Sequence, residues 1–217
     1  MHQHAHPHEA APSTQGRLIR WAGHYDRLVN LLTFGHARQL RAMTVDLAQI
    51  VSDEAILDVG CGTGDLTLAA KARTGRSGRV VGIDAAPEMI AVARRKAAYA
   101  QSEIDFRVSA VEALPFPDAS FDVVLSSLMM HHLPQAVKRQ GLPEIRRVLK
   151  PGGRLVIIDI KRPTTIAGRA LTAVGLHAGL GEGAQDLLPL LQEAGFARVQ
   201  TSDTAWRMLG LVVGWNG

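Results

Sequence analysis

The chain has 217 residues, a formal net charge of +4, and 47% hydrophobic against 20% charged residues. This length supports one domain with a full core, and the composition excludes a disordered or fibrous chain. No apolar run reaches the roughly 18 to 20 residues that span a bilayer, and residues 1–16 lack the apolar core of a signal peptide. We therefore expect a globular, cytoplasmic protein.

Cysteine content and charge distribution narrow the function classes further. The single cysteine, Cys61, excludes an internal disulfide and a multi-thiolate metal site. The basic residues are spread along the chain without a block, which is typical of a solvated surface. We therefore expect no nucleic-acid partner, while weak contact with an anionic membrane surface is compatible with the charge.

The N-terminal region divides into a polar tail and a helical part. Residues 1–16 alternate histidine with small or polar residues and contain Pro7 and Pro12. This pattern predicts a disordered tail, and a metal-binding tract is the less favoured interpretation. Two amphipathic helices are predicted next, over residues 18–32 and 36–50, and a single domain over residues 17–217.

From residue 54, short β-branched runs alternate with alanine-rich stretches, which indicates strands and helices in turn. The predicted strands are residues 55–59, 79–84, 104–109, 121–126, 154–159, 196–204 and 205–214. The predicted helices are residues 65–73, 87–99, 134–149 and 184–194. The last two strands follow each other closely, so they must be antiparallel. The fold class is α/β: a doubly wound, mostly parallel seven-stranded sheet with helices on both faces and a C-terminal antiparallel strand pair.

A glycine-rich segment, residues 56–66 (ILDVGCGTGDL), joins the first strand to a helix. Gly60, Gly62 and Gly64 let the backbone turn tightly and approach a ligand, and the helix N-terminus offers free N–H donors. A dinucleotide-binding loop has glycine where this chain has Asp65, and the lysine of a P-loop is missing. Because a carboxylate beside a pyrophosphate is unfavourable, we expect a ligand with little negative charge.

The second predicted strand ends at Asp84, about twenty residues after the loop, where an acidic side chain accepts both hydroxyls of a ribose. Capping of the next helix is the alternative role. A ribose without a pyrophosphate indicates S-adenosylmethionine. Its amino-acid end is expected near the loop and Asp58, and its adenine beyond Asp84.

The glycine segment resembles the first motif of class I S-adenosylmethionine-dependent methyltransferases. Residues 111–124 (VEALPFPDASFDVV) and 144–155 (EIRRVLKPGGRL) resemble the third to fifth motif regions of that superfamily, so the match covers about residues 50–160. Tyr25-Asp26, residues 32–35 (LTFG) and residues 64–68 (GDLTL) are most similar to the ubiquinone/menaquinone biosynthesis C-methyltransferase family. The resemblance implies a helical cap over residues 17–50, a cofactor-binding core over 51–160 and an acceptor-side segment with the last strands over 161–217.

The same resemblance implies which residues bind the cofactor. They are Tyr25, Asp58, Gly60, Cys61, Gly62, Gly64, Asp84, Ala85, Met89, Ala110, Val111, Glu112 and Ser127. Cys61 is expected to be a small packing residue beside the cofactor, and Met89 to lie against the adenine. This chain has Ser109-Ala110-Val111-Glu112 where the family often has Gly-Asp-Ala-Glu. Backbone groups near Ala110 and Val111 are therefore expected to contact the adenine.

Methyl transfer from a sulfonium is a displacement that gains rate from alignment and requires no metal. A base is needed only where the acceptor loses a proton. The candidate catalytic residues are His131 and His132, which follow the fourth strand, where this fold places side chains near the transferring methyl. A structural role for both histidines is the open alternative.

The acceptor is expected between the N-terminal helices and the apolar, small-sided residues 164–183, because these parts lie outside the common sheet. Residues 159–163 (DIKRP) stand where the quinone family tends to have Glu-Phe-Ser. We therefore expect S-adenosylmethionine-dependent methylation of a small, lipophilic acceptor, quinol-like or of another natural-product type. Phospholipid head-group N-methylation at a membrane surface and a non-catalytic S-adenosylmethionine-binding protein are the alternatives, and a homodimer is compatible with the sequence.

Overall fold

The computed structural model describes residues 11–14, 16, 23, 26, 29–31, 35–162 and 183–217. Within these ranges, no helix combines the length and the apolar composition that crossing a membrane requires. Tyr25, residues 163–182 and most of the predicted helix over residues 18–32 lie outside the described residues. The described members of that helix, including Asp26, Val29 and Asn30, are helical.

Five helices and seven strands make up the described fold. The helices are α1 (Ala37–Leu47), α2 (Asp65–Thr74), α3 (Pro87–Tyr99), α4 (Gln135–Val148) and α5 (Leu187–Glu193). The strands are β1 (Ile56–Val59), β2 (Val80–Asp84), β3 (Asp105–Val108), β4 (Phe121–Ser127), β5 (Leu149–Ile160), β6 (Arg198–Asp203) and β7 (Leu209–Trp215). Short 3₁₀ helices lie over Met130–His132 and Ala184–Asp186.

The strands form one seven-stranded sheet in the order β3-β2-β1-β4-β5-β7-β6. The pairings among β1 to β5 are parallel, and β7 runs antiparallel to both β5 and β6. The predicted fold class is therefore confirmed, including the C-terminal antiparallel pair.

The core lies on both faces of the sheet because successive strand residues point to opposite sides. In β1, Leu57 packs in one buried cluster with residues of α4, and Ile56 packs in another with residues of α1 and α2. All four residues of β1 are buried. This two-sided burial explains the near-continuous apolar runs of the central strands.

The strand order reverses direction between β1 and β4. Chain connections leave these neighbouring strands toward opposite sides, which opens a crevice at their carboxyl ends, where open α/β sheets bind ligands. The register pairs Asp58 with Leu125, so the loop after β1 and the turn after β4 lie beside each other. The fold thereby brings the glycine loop close to the segment that carries both histidines.

The starts of two predicted strands differ from the structure by more than two residues. The strand predicted over residues 154–159 begins at Leu149, because Leu149 pairs with Phe121 across a register shift at the start of β4. The strand predicted over residues 205–214 begins at Leu209. The Thr204 hydroxyl accepts from the backbone N–H of Trp206 at 3.1 Å. This local hydrogen bond favours a turn over continued strand pairing.

Candidate functional site

The loop after β1 has a backbone that favours glycine. Gly60, Gly62 and Gly64 have φ angles of 70°, 53° and 85°, in the left-handed region that other residues rarely adopt. The backbone N–H of Cys61 donates to the carbonyl of Ile83 at 2.9 Å, which ties the loop to the end of β2. The glycines therefore hold the loop across the carboxyl ends of β1 and β2.

Two cavities meet at this loop. The larger has a volume of about 90 Å³ and is lined by Thr14, Gly16, Val59, Gly60, Gly62, Ile83, Asp84, Ala85, Met89, Ser109, Ala110, Val111, Glu112, Leu128, Met129, His132 and Leu133. The smaller has a volume of about 20 Å³ and is lined by Arg41, Asp58, Gly60, Cys61, Gly62, Thr63, Asp65, Leu66 and Ser127. Because Gly60 and Gly62 line both, a ligand that crosses the loop reaches both cavities.

Most of the predicted cofactor residues gather around these two cavities. The larger cavity includes Gly60, Gly62, Asp84, Ala85, Met89, Ala110, Val111 and Glu112. The smaller cavity adds Asp58, Cys61 and Ser127. Gly64 lines neither: a β-carbon there would lie 2.9 Å from Cβ of Ala93 and from Cζ of Phe106. The structure thus packs Gly64 closely against α3 and β3, and its contact with the cofactor stays a prediction.

Asp84 organises the larger cavity with both carboxylate oxygens. Its Oδ2 accepts from the backbone N–H of Gly62 at 3.0 Å, and its Oδ1 accepts from that of Ala86 at 2.9 Å. Burial raises the pKa of the Asp84 carboxyl, and the two backbone N–H groups oppose that rise. Each oxygen has a second acceptor position. Asp84 can thus hold the loop, support the start of α3 and still accept from a ligand hydroxyl.

Asp58 and Cys61 border the smaller cavity, and burial raises the pKa of both side chains. The Thr67 hydroxyl donates to Oδ2 of Asp58 at 2.6 Å. Burial raises the pKa of Asp58 to about 6, while the Thr67 hydrogen bond and the positive charge of Arg41 oppose the rise. Burial, with the charges of Asp58 and Asp84, raises the pKa of the Cys61 thiol well above its ordinary value. Cys61 is therefore a neutral packing group rather than a nucleophile.

The two candidate catalytic histidines occupy different positions. Nδ1 of His131 lies 2.5 Å from Oδ1 of Asp159, and the backbone N–H of His131 donates to Oδ2 of Asp159 at 3.1 Å. The His131 side chain is 9% exposed and that of Asp159 1% exposed. The His132 ring lies 3.9 Å from the His131 ring, centroid to centroid, and lines the larger cavity. His131 is thus anchored to β5, and His132 faces the cavity.

A polar network that the sequence analysis missed ties the N-terminal helix to the glycine loop. The Thr63 hydroxyl donates to Oδ1 of Asp26 at 2.5 Å. Nζ of Lys96 lies 2.7 Å from Oδ2 of Asp26 and 2.6 Å from Oδ1 of Asp65. Asp26, from the Tyr25-Asp26 pair of the sequence analysis, contacts Thr63 and Lys96. Lys96 is 31 residues from Asp65, so no local pattern could have revealed the pair.

Part of the N-terminal tail lies at the larger cavity. The Thr14 hydroxyl donates to Oε1 of Glu112 at 2.5 Å, and the backbone N–H of Gly16 donates to Thr14 Oγ1 at 2.9 Å. These contacts place Thr14 and Gly16 at the cavity, and the disordered tail over residues 1–16 stays a prediction.

The described ranges contain no group of three or more His, Cys, Asp or Glu side chains placed to hold a metal ion. The family model described as "Methyltransferase domain" matches residues 56–153. These residues include both histidines and the glycine loop that borders the two cavities. Residues 56–153 therefore form a methyltransferase domain, and the predicted resemblance to S-adenosylmethionine-dependent methyltransferases is confirmed.

Individual curated proteins are similar to about two thirds of this chain. A demethylmenaquinone methyltransferase of Thermus thermophilus is 43% identical over 142 residues, which make up 65% of this chain and 63% of that protein. A ubiquinone/menaquinone biosynthesis C-methyltransferase of Hydrogenovibrio crunogenus is 35% identical over 158 residues, 72% of this chain and 61% of that protein. The chain thus spans less than two thirds of the length of these curated relatives.

A solved structure shares the fold of this chain. The S-adenosylmethionine-dependent methyltransferase of Aquifex aeolicus aligns with a TM-score of 0.70 at 22% identity, and the alignment covers 82% of this chain and 89% of that one. At this identity the likeness shows the fold alone.

The residues around the two cavities fit the expected cofactor, S-adenosylmethionine. The glycine loop lets a ligand lie against the backbone between the two cavities, and Asp84 offers acceptor positions on one side of it. On the other side, Oγ of Ser127 is buried without a hydrogen-bond partner, at the same small cavity as Asp58. A buried hydroxyl without a partner is uncommon in native proteins and indicates a polar ligand group.

Proposed function

We propose that this protein transfers the methyl group of S-adenosylmethionine to a small, lipophilic acceptor with a quinol-like ring. The observation that carries the proposal is that His132 borders the same cavity as the glycine loop and Asp84. A proton acceptor beside the cofactor suits an acceptor that loses a proton when it is methylated. The names of the two curated relatives, which refer to menaquinone and ubiquinone, support a quinol.

The residues proposed to bind the cofactor follow the order of its chemical groups from the larger cavity to the smaller one. Asp84 accepts from the ribose hydroxyls, and Met89, Ala110 and Val111 line the cavity beyond it, where the adenine would lie. Asp58 lies at the smaller cavity, where its carboxylate accepts from the ammonium group. When bound, the cofactor supplies a methyl group activated by its positively charged sulfur, so alignment provides much of the rate.

His132 is the proposed proton acceptor, and His131 with Asp159 positions it. His132 lines the cavity and is packed against the His131 ring. His131 is fixed by two contacts with the buried Asp159 carboxylate, whose Oδ1 also accepts from the Ile160 backbone N–H at 2.7 Å. The Asp159 carboxylate therefore fixes the orientation of the His131 ring against which His132 packs. The pair is thus suited to take a proton from a phenolic hydroxyl or a ring carbon.

Apolar side chains on the same rim favour a lipophilic acceptor. Leu128, Met129 and Leu133 line the larger cavity next to His132. Such residues bind a ring through burial of apolar surface, and one polar group is enough to orient it. The acceptor would therefore lie on the β4 side of the cavity, with its nucleophilic atom toward His132.

The test is a methyl-transfer assay with reduced demethylmenaquinone as the acceptor. We expect release of S-adenosylhomocysteine and a product heavier by one methyl group, both detected by mass spectrometry, and loss of both signals in His132→Gln. Phosphatidylethanolamine liposomes form a second arm, and methylation there instead would support head-group N-methylation. Cofactor binding without product in either arm would contradict the quinol assignment.

A further inference from the structure

Three buried side-chain polar atoms in the described ranges have no hydrogen-bond partner, and two of them belong to residues of one cavity. The three atoms are Nε of Arg41, Oγ of Ser126 and Oγ of Ser127. Arg41 and Ser127 both line the smaller cavity. Native proteins leave few such groups unpaired, and a cluster of them calls for a missing partner. A guanidinium N–H and a hydroxyl can both donate, so a hydrogen-bond acceptor would be a partner for both.

The smaller cavity also presents opposite charges. The Arg41 guanidinium is permanently cationic, and the Asp58 carboxylate is held there by the Thr67 hydroxyl at 2.6 Å. The positive charge of Arg41 opposes the rise in the pKa of Asp58, which indicates that the two groups lie within electrostatic range of each other. One cation and one anion on the same small cavity complement a group that itself carries both charges.

The size and position of the cavity limit what such a group can be. Its volume of about 20 Å³ exceeds the roughly 10 to 15 Å³ that one water-sized group needs. It therefore admits a small polar group and excludes a ring. Because Gly60 and Gly62 are shared with the larger cavity, the group must be the end of a ligand that crosses the loop.

We propose that Arg41, together with Ser127, binds the carboxylate of the cofactor's amino-acid end, while Asp58 receives its ammonium group. A carboxylate bound by a guanidinium forms a charge-assisted hydrogen bond, the stronger kind. Arg41 is then the residue that makes this site select ligands with a complete amino acid. The proposal rests on the proposed function because it assigns one end of the same cofactor, but it requires no acceptor.

Calorimetry with three ligands tests the assignment on the full chain. The ligands are S-adenosylhomocysteine, its decarboxylated analogue, and 5′-methylthioadenosine, which lacks the amino-acid end. We expect Arg41→Met to weaken S-adenosylhomocysteine about 10- to 100-fold and Ser127→Ala to weaken it about 3- to 10-fold, the ranges for hydrogen bonds to charged groups and for hydrogen bonds in general. Both variants should bind 5′-methylthioadenosine and the decarboxylated analogue as the wild type does.

Arg38→Met is the matched control. Arg38 lies on α1 one turn before Arg41 and borders, with Arg41, a neighbouring open groove, but the smaller cavity is lined by Arg41. Loss of the charge at Arg38 should leave all three affinities unchanged. Unchanged binding of 5′-methylthioadenosine also shows that each variant is folded.

Two results would overturn the assignment of Arg41. One is unaltered affinity of Arg41→Met for S-adenosylhomocysteine, and the other is an equal loss for all three ligands. In Arg41→Lys the point charge remains without the planar fork, so we expect a smaller loss than in Arg41→Met. Wild-type protein that binds none of the three ligands would overturn the cofactor site as a whole. Absence of methyl transfer with intact, Arg41-dependent binding would contradict the proposed acceptor and support the Arg41 assignment.

Discussion

Gly60 and Met129 lie in direct contact across the crevice. A β-carbon at Gly60 would lie 2.3 Å from Cγ of Met129, closer than two carbon atoms approach without a bond. Met129 follows Leu128, whose φ angle of 54° is uncommon for a residue with a side chain. The turn after β4 therefore presses a flexible side chain against the glycine loop, at the boundary of the two cavities.

The first prediction concerns this contact. Gly60→Ala should weaken S-adenosylhomocysteine at least about tenfold in calorimetry, because the methyl group displaces Met129 and alters the loop. Gly75→Ala is the control: Gly75 also has a positive φ angle, 83°, but a β-carbon there meets nothing within 4 Å. The control should lose about 1 to 3 kcal/mol of unfolding free energy, because residues other than glycine rarely adopt this conformation, and keep its affinity. Equal affinity in both variants would contradict a role for the Gly60–Met129 contact.

The second prediction assigns the ribose to Asp84. Asp84→Ala should cost on the order of 1 to 3 kcal/mol of binding free energy for both S-adenosylhomocysteine and 5′-methylthioadenosine, since both contain the ribose. Glu88→Ala, an exposed carboxylate in the first turn of α3, should change neither affinity. Asp84→Asn keeps one acceptor oxygen for the loop and should lose less. Wild-type affinity in Asp84→Ala would leave helix support as the role of Asp84.

The third prediction separates the two histidines. His132→Gln should lower turnover by roughly 10² to 10⁴ and leave S-adenosylhomocysteine affinity intact, the range of acid–base assistance. The wild-type rate should rise through about pH 6 to 7, where histidines ordinarily lose a proton. This rise should vanish in His132→Gln. His131→Gln should reduce turnover less and lower the unfolding free energy, because it breaks the contact with Asp159. Full turnover in both variants would make the histidines structural.

The fourth prediction follows from the raised pKa of Asp58. Because burial raises it to about 6 in the folded protein, the folded state binds the Asp58 proton more tightly than the unfolded chain does. The contribution of Asp58 to stability is therefore full below about pH 4 and is lost as the pH rises through about 6. Between pH 5 and pH 8 the wild type should lose about 1 kcal/mol of unfolding free energy through this group. Asp58→Asn has no carboxyl there and should not show this loss. Denaturant unfolding at both pH values measures the difference, and a constant difference would contradict the shift.

Protonation of Asp58 should also control cofactor affinity. The neutral carboxyl attracts an ammonium group less than the carboxylate does, so wild-type affinity for S-adenosylhomocysteine should fall as the pH drops below about 6. In Asp58→Asn the affinity should be lower at pH 8 and less dependent on pH. Calorimetry at pH 5 and pH 8 compares the two proteins, with 5′-methylthioadenosine as the ligand that lacks the ammonium group.

Several features of this protein follow from the sequence by itself, because their causes act over a few residues. The alternation of β-branched and alanine-rich runs predicted the strands and helices of the sheet, and the left-handed φ angles of Gly60 and Gly62 agree with the glycine spacing. The local sequence likewise predicts the position of Asp84 at the end of β2. Together these features were enough to predict the fold class, while the family and the cofactor residues around the larger cavity were predicted from the resemblance of the motifs.

Only the tertiary structure decided which side chains complete the site, because those contacts join residues far apart in the chain. It showed that His132 faces the cavity while His131 is held by Asp159, 28 residues away. It also brought Arg41 of α1 to the smaller cavity beside Asp58. Helical and strand periodicities specify which face of an element is buried, but the partner across the crevice depends on strand order and register, which no local pattern encodes.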